Sequence, residues 1–261
     1  MMSNSYLRHS FLKDWVPVLG AVLVLAGTEA AQTPTPNPTP VVVELFTSEG
    51  CSSCPPADAL LRTLDATQPV AGIQLVVLGE HVDYWDDLGW KDTFSSHAFT
   101  VRQGAYVDRL HLASSYTPQM VVDGTYECSG SDGRRAAQAF EKAGALPKIG
   151  VRISGVKIEN GSVRAHLETD ASPSKHEVFV ALVLDHAQSQ VLRGENGGHR
   201  LQHVAVVRSL TKVGKTAKGE AFSKDVSLTA APSEVPYRLV AFVQEPNQGK
   251  ILGATVETVG K

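Results

Sequence analysis

From Val41 the chain reads Val-Val-Val-Glu-Leu-Phe, a β-branched and apolar run with one acid inside it, the pattern of a buried strand. Thr47-Ser48-Glu49-Gly50 breaks the run, and Cys51-Ser52-Ser53-Cys54 follows. The next ten residues, Pro55-Pro56-Ala57-Asp58-Ala59-Leu60-Leu61-Arg62-Thr63-Leu64, read as a helix whose prolines fall in the first turn, where they are tolerated. A second apolar strand is expected at residues 73–78, which makes a strand-helix-strand unit with a right-handed crossover. Phe94, Ala98, Val101, Ala105 and Leu112 stand near helical spacing and predict helix within 93–112. Asp123-Gly124 suits a tight hairpin between two short antiparallel strands. Ser131 or Asp132 then caps a helix to about Gly144, with Ala136, Ala137, Phe140 and Leu146 on its buried side.

After Pro147 the helical period disappears. Strand-like runs recur at 149–158, 162–169, 177–184, 201–210, 221–228, 237–244 and 251–259, with Asn160-Gly161 marking a hairpin. The pattern therefore predicts an α/β domain over 41–147 followed by an all-β, sandwich-like domain over 148–261.

Ahead of the first strand, an apolar run from Trp15 to Gly27 is too short for the roughly 20 residues a spanning helix needs. Arg8 and Lys13 precede it and Thr28-Glu29-Ala30 follows, so residues 1–31 are expected to be a signal peptide cleaved near Ala30 or Ala31, with an uncleaved anchor as the alternative. The mature chain would then be periplasmic or secreted, with no membrane span. The alternating prolines of 32–40 read as an extended tether.

Composition changes this picture little. With 43% hydrophobic and 20% charged residues the chain can bury a core, and a formal net charge of −3 offers no basic field for nucleic acid. The three cysteines matter more. A Cys-x-x-Cys pair at the mouth of a helix places Cys51 where free backbone N–H groups and the helix dipole favour a thiolate. Cys51 is expected to be the exposed nucleophile and Cys54 the shielded, resolving thiol. Cys128 is expected to be buried and inert, with an intermolecular or second resolving role as the alternative.

The order strand, Cys-x-x-Cys, helix, strand, helix, Thr117-Pro118, strand and hairpin resembles the thioredoxin-like superfamily from Val41 to about Leu146. The resemblance implies that Pro118 is cis and faces the cysteines, that Thr117 borders the substrate, and that Glu44 takes the place of a buried acid assisting proton transfer. A solvent-facing Glu44 remains the alternative. VELFTSEGCSSCPPAD, HVDYWDDLGWKD, YTPQMVVDG, and the later RGENGG and HVAVVR more closely resemble an uncharacterised family of exported bacterial proteins, a domain of unknown function.

His81, Asp83, Trp85 and Trp90 lie just after the second strand, at the sheet end where α/β sites form. Trp85 and Trp90 would offer an apolar surface to a peptide, and His81 or Asp83 would tune the thiolate. Alternatively the tryptophans fill the core and Asp83 caps a turn. The glycine-rich run from Arg193 to His199 either reaches toward the first domain or a ligand, or simply connects two strands. Together these residues predict an exported thiol-disulfide oxidoreductase acting on a protein thiol or disulfide partner, with catalytic Cys51, Cys54, Pro118 and Glu44. Thr117, His81, Asp83 and Trp85 would bind substrate, and neither cofactor nor metal is called for. Two alternatives stay open: a non-enzymatic envelope binding or assembly protein with a structural disulfide, and a Cu(I) site made of the two thiolates with His81.

Overall fold

The computed structural model describes residues 1–2 and 37–259, so the expected signal segment and most of the expected tether lie outside the described residues. The chain enters β1 (Thr39–Thr47), whose Val41–Phe46 core is buried as the apolar run requires, and passes through the cysteine loop into α1 (Pro55–Thr67). Ala57, Leu61 and Leu64 form the buried stripe of α1, and the helix ends at Gln68 in the left-handed region. β2 (Ile73–His81) lies parallel to β1, in register from Thr39↔Ile73 to Thr47↔His81. Next comes α2 (His97–Leu110), capped by Ser96, whose hydroxyl accepts from the Ala98 N–H.

The expected face of α2 is corrected. Its buried residues are Phe99, Arg102, Gln103 and Tyr106, while Val101 is 58% exposed. Two polar side chains occupy the inward positions, so apolar spacing alone pointed to a different side of the helix. β3 (Gln119–Val122) and β4 (Tyr126–Ser129) form the predicted hairpin, with Asp123 and Gly124 both at positive φ. Asp123 Oδ1 also accepts the Val42 N–H at 2.9 Å, locking the turn to β1. α3 (Gly133–Gly144), capped by Asp132, buries Ala136, Ala139, Phe140 and Ala143.

The remaining strands are β5 (Val151–Glu159), β6 (Ser162–Thr169), β7 (His176–Gln190), β8 (Arg200–Thr216), β9 (Phe222–Thr229), β10 (Tyr237–Gln244) and β11 (Ile251–Val259). Here the expected fold class is overturned. There is no thioredoxin-like α/β domain followed by a separate sandwich. One mixed sheet of eight strands runs in the order β11-β10-β7-β8-β2-β1-β3-β4, and a smaller sheet holds β5-β6-β9. Strands take 44% of the described residues and helices 17%.

The physical reason lies at β2 and β8. β7 and β8, at 15 and 17 residues, outrun the segments expected from their apolar runs, and β8 pairs in parallel with β2 at Gly79↔Val206. A Cβ on Gly79 would stand 3.1 Å from the Val204 carbonyl oxygen, so glycine permits this close approach. The main core consequently draws on both halves of the chain: Leu45, Leu61 and Leu78 share it with Ala181, Val207, Val240 and Phe242. The three-stranded sheet covers the other side of β7 and β10 through Val163, Leu167, Val226 and Leu228. β10 is buried on both faces, with Val240 and Phe242 in one core and Leu239, Ala241 and Val243 in the other. No helix among the described residues is long and apolar enough to cross a membrane.

Because residues up to 147 leave the apolar faces they share with β7, β8 and β10 uncovered, a chain cut to 37–147 is expected to show no cooperative thermal transition. The full chain should unfold in one, and near-ultraviolet circular dichroism on heating distinguishes the two outcomes.

Candidate functional site

The segment from Ser48 to Cys54 turns twice. The Cys51 N–H donates to Ser48 O at 3.2 Å and the Cys54 N–H donates to Cys51 O at 3.2 Å. These turns bring the two cysteine Cα atoms to 5.5 Å, and the sulfurs are joined as a disulfide. Cys54 is the N-cap of α1, its carbonyl accepting from Ala57 and Asp58 at 2.9 and 3.1 Å, and no side chain caps the helix. Ser52 and Ser53 are exposed, and Ser53 Oγ lies 3.4 Å from Cys51 Sγ. The expected contrast between an exposed Cys51 and a shielded Cys54 is absent, since both are 0% exposed.

The other half of the chain reaches this loop. The loop between β7 and β8 lies against the cysteine loop: Glu195 Oε2 accepts the Ser52 N–H at 3.0 Å, and Asn196 Nδ2 donates to the Glu49 and Cys51 carbonyls, both at 2.9 Å. Hydrogen bonds from Ser52 hold the Glu195 carboxyl below its usual range. Gly194 packs on Gly89, where a Cβ would sit 3.4 Å from its Cα. Of the two readings of the glycine-rich run, reaching across to the cysteine half is the one observed.

Thr117-Pro118 is cis and borders the same loop. Ser53 Oγ donates to the Thr117 carbonyl at 3.4 Å, and Trp85 Nε1 donates to Thr117 Oγ1 at 2.9 Å. Trp85 is half-buried against the core, and Trp90 Nε1 donates to Glu49 Oε2 at 2.8 Å. Asp83 is elsewhere: it accepts from Thr100 Oγ1 at 2.5 Å and contacts His97 at 3.1 Å, tying its loop to the first turn of α2. The Thr100 hydroxyl helps to hold its carboxyl below the usual range.

Strand parity decides which side chains of β1 face α1. Thr47 donates from its Oγ1 to Asp58 Oδ1 on α1 at 3.0 Å, and His81 is its register partner on β2. Glu44 is three residues away and points to the opposite face. There Arg102 Nε donates to Glu44 Oε1 and Tyr106 OH donates to Oε2, both at 2.5 Å. Gln244 of β10 completes this network, and the Arg102 guanidinium lies 5.6 and 5.5 Å from the stacked Phe179 and Phe242 rings. Burial and the Glu44 charge push the neighbouring Glu80 carboxyl well up. Glu44 is thus buried, as the resemblance implied, but serves an ion pair away from the α1 face.

The acids beside the cysteines are Glu49 and Asp58, and sequence reasoning gave neither a role. His203, from β8, stands between them: its Nε2 is 3.5 Å from Glu49 Oε1 and its Nδ1 is 3.7 Å from Asp58 Oδ2. Burial opposes charge on the ring, but the two carboxylates prevail and raise its pKa to about 9. A histidine interrupting the apolar run of β8 was the available signal. His81, the third ligand of the alternative Cu(I) site, bonds through Nδ1 to Asp92 at 2.7 Å and packs edge-on against His203 at 4.7 Å. Among the described residues, no three His, Cys, Asp or Glu side chains are grouped to hold a metal ion. Cys128 is buried, and desolvation, with Glu127 and Asp132, pushes its thiol up to about 11.

Residues 42–244 match a family described as a protein of unknown function (DUF1223). The chain belongs to that family. It is also similar to the crystal structure of a structural-genomics target from Agrobacterium tumefaciens, at 28% identity and a TM-score of 0.63, covering 84% of this chain and 94% of that one. The sporulation control protein of Bacillus subtilis is far more distant: 12% identity, a TM-score of 0.29, and 43% and 47% of the two chains. No curated protein matches.

Two outcomes follow from these placements. His203, raised from 6.5 to about 9, contributes stability that is complete below about pH 6.5 and is lost as pH rises through 9. Unfolding free energies from urea titrations at pH 6 and pH 10 should differ accordingly, by up to about 3 kcal/mol. Glu44→Gln is expected to cost up to about 3 kcal/mol in the same assay, by removing the carboxylate that Arg102 and Tyr106 bind and leaving Glu80, 3.7 Å from Arg102, as its buried counter-charge.

Proposed function

We propose that this protein is an exported thiol-disulfide exchange protein whose Cys51–Cys54 pair reacts with a protein partner. The observation that carries the reading is the disulfide at the N-terminus of α1 with a buried Glu49–His203–Asp58 cluster beside it. Buried ionisable groups are costly and concentrate where a reaction needs them. The α1 dipole favours a thiolate at this end of the helix, although Pro55 and Pro56 carry no N–H and the Ala57 and Asp58 N–H groups are taken by the Cys54 carbonyl.

In the exchange, a partner thiolate attacks Cys51 Sγ, the S–S bond breaks, and its electron pair leaves on Cys54 Sγ. A second thiol of the partner then attacks the mixed disulfide. The partner leaves oxidised, and the pair gains two electrons and, once both sulfurs are protonated, two protons. Thr117-Pro118 and Trp85 line the approach through Ser53, and Glu195 and Asn196 withdraw to admit the partner. No cofactor beyond the dithiol enters these steps.

A specific observation favours a second reading: both sulfurs are fully buried, as in a structural disulfide of a non-enzymatic envelope binding or assembly protein. The reduction potential in glutathione buffers, measured with Cys128→Ser, separates the two. A value between about −120 and −270 mV supports exchange, and one below about −300 mV supports the structural disulfide. In the first case Cys54→Ser, offered oxidised glutathione, is expected to accumulate a mixed disulfide as the Cys51 thiolate attacks it and releases one reduced glutathione, seen as an added mass that reductant removes.

A further inference from the structure

Glu49 and Asp58 bracket the cysteine pair in sequence, and each has one oxygen already taken. Trp90 Nε1 donates to Glu49 Oε2 at 2.8 Å, and Thr47 Oγ1 donates to Asp58 Oδ1 at 3.0 Å. The remaining oxygens, Glu49 Oε1 and Asp58 Oδ2, both face the His203 ring. Neither His203 nitrogen has a closer hydrogen-bond partner, nor does Glu49 Oε1, and all are buried. The imidazole is therefore held by charge between two pinned acids, without a tight hydrogen bond committing its proton to either.

Other charged groups surround this centre. From β2, His81 meets the ring edge-on and is itself bound by Asp92. From α1, Arg62 donates to the carbonyl of Gln202, the neighbour of His203. Phe94 packs 6.0 Å from His203 and carries the Arg208 guanidinium of β8 over its ring at 5.4 Å. The cluster is joined to the cysteine loop through the backbone: the Asp58 N–H donates to the carbonyl of Cys54, and Asn196 joins the carbonyls of Glu49 and Cys51.

We infer that His203 is the positioning residue of the dithiol, a proton store supplied by β8 that acts through Glu49 and Asp58 on the sulfur released when the disulfide opens. The inference rests on the exchange reading above. When the S–S bond breaks, the Cys54 thiolate takes up a proton and the store is left with one fewer. When Cys54 attacks a mixed disulfide, its proton returns to the store as the new S–S bond forms and the partner leaves as thiolate.

Linkage makes this testable without altering the site, because a group that governs dithiol protonation must itself titrate differently in the oxidised and reduced states. The imidazole proton resonance of His203 is followed against pH in the full chain carrying Cys128→Ser, once oxidised and once reduced by dithiothreitol. The expected result is a change of at least tenfold in His203 proton affinity between the two states. A companion measurement follows the rate of disulfide reduction by dithiothreitol from pH 6 to 10. Here His203→Asn and Asp58→Asn should each lose an inflection present in the parent protein and lower the rate at neutral pH at least tenfold. If the disulfide exchanges readily but the His203 titration is the same in both states, the inference is overturned and the exchange reading stands. If Cys51 forms no mixed disulfide and the pair resists glutathione buffers, the exchange reading falls and this inference with it.

Discussion

Everything distinctive about this protein depends on one backbone contact, the parallel pairing of β2 with β8 at Gly79 and Val206. A side chain at residue 79 would meet the Val204 carbonyl and push the strands apart. With hydrogen there, a sheet begun by β1–β4 continues through β8, β7, β10 and β11 without an edge between them. A free sheet edge is a liability that proteins cover or pair. Here the two halves of the chain cover each other, and the main core forms from both.

The same pairing builds the candidate site. Once β8 is fixed beside β2, His203 falls between Glu49 and Asp58, and the preceding loop lays Glu195 and Asn196 across the cysteines. The dithiol, its buried charges and its cover therefore come from opposite ends of the sequence. The Arg102 network on the far face fastens β1, α2 and β10 around Glu44, away from the cysteines. Parity along β1 keeps the two charged clusters apart, one devoted to holding layers together and the other next to the cysteine loop.

Much of the local structure was legible from spacing and turn chemistry. β6 and β10 occupy the residues that their apolar runs marked, Asp123-Gly124 makes its hairpin with two positive φ values, and Asp132 caps α3. What was not legible is non-local. Apolar periodicity reports which residues are buried in an element, but not which element buries them, so the change of pattern at Pro147 looked like a domain boundary. Arg102 and Gln103 hid the inner face of α2 because polar residues carry no weight in such a pattern. Asn196, 145 residues away, donates to the Cys51 carbonyl, and no feature of the cysteine loop announces that contact.

The order in which the strands appear along the chain has a kinetic consequence. β2 ends at His81, but its partner β8 does not begin until Arg200, with the five strands β3 to β7 in between. Such pairing closes a long loop before it is rewarded, which slows folding and leaves a half-made chain with an open sheet edge and exposed apolar surface. A nascent chain that has only reached α3 holds the cysteines but neither His203 nor the loop that covers them. Throughout that interval the sulfurs lack their cover, and the pairing of Cys51 with Cys54 is open to competition from Cys128 and from other chains.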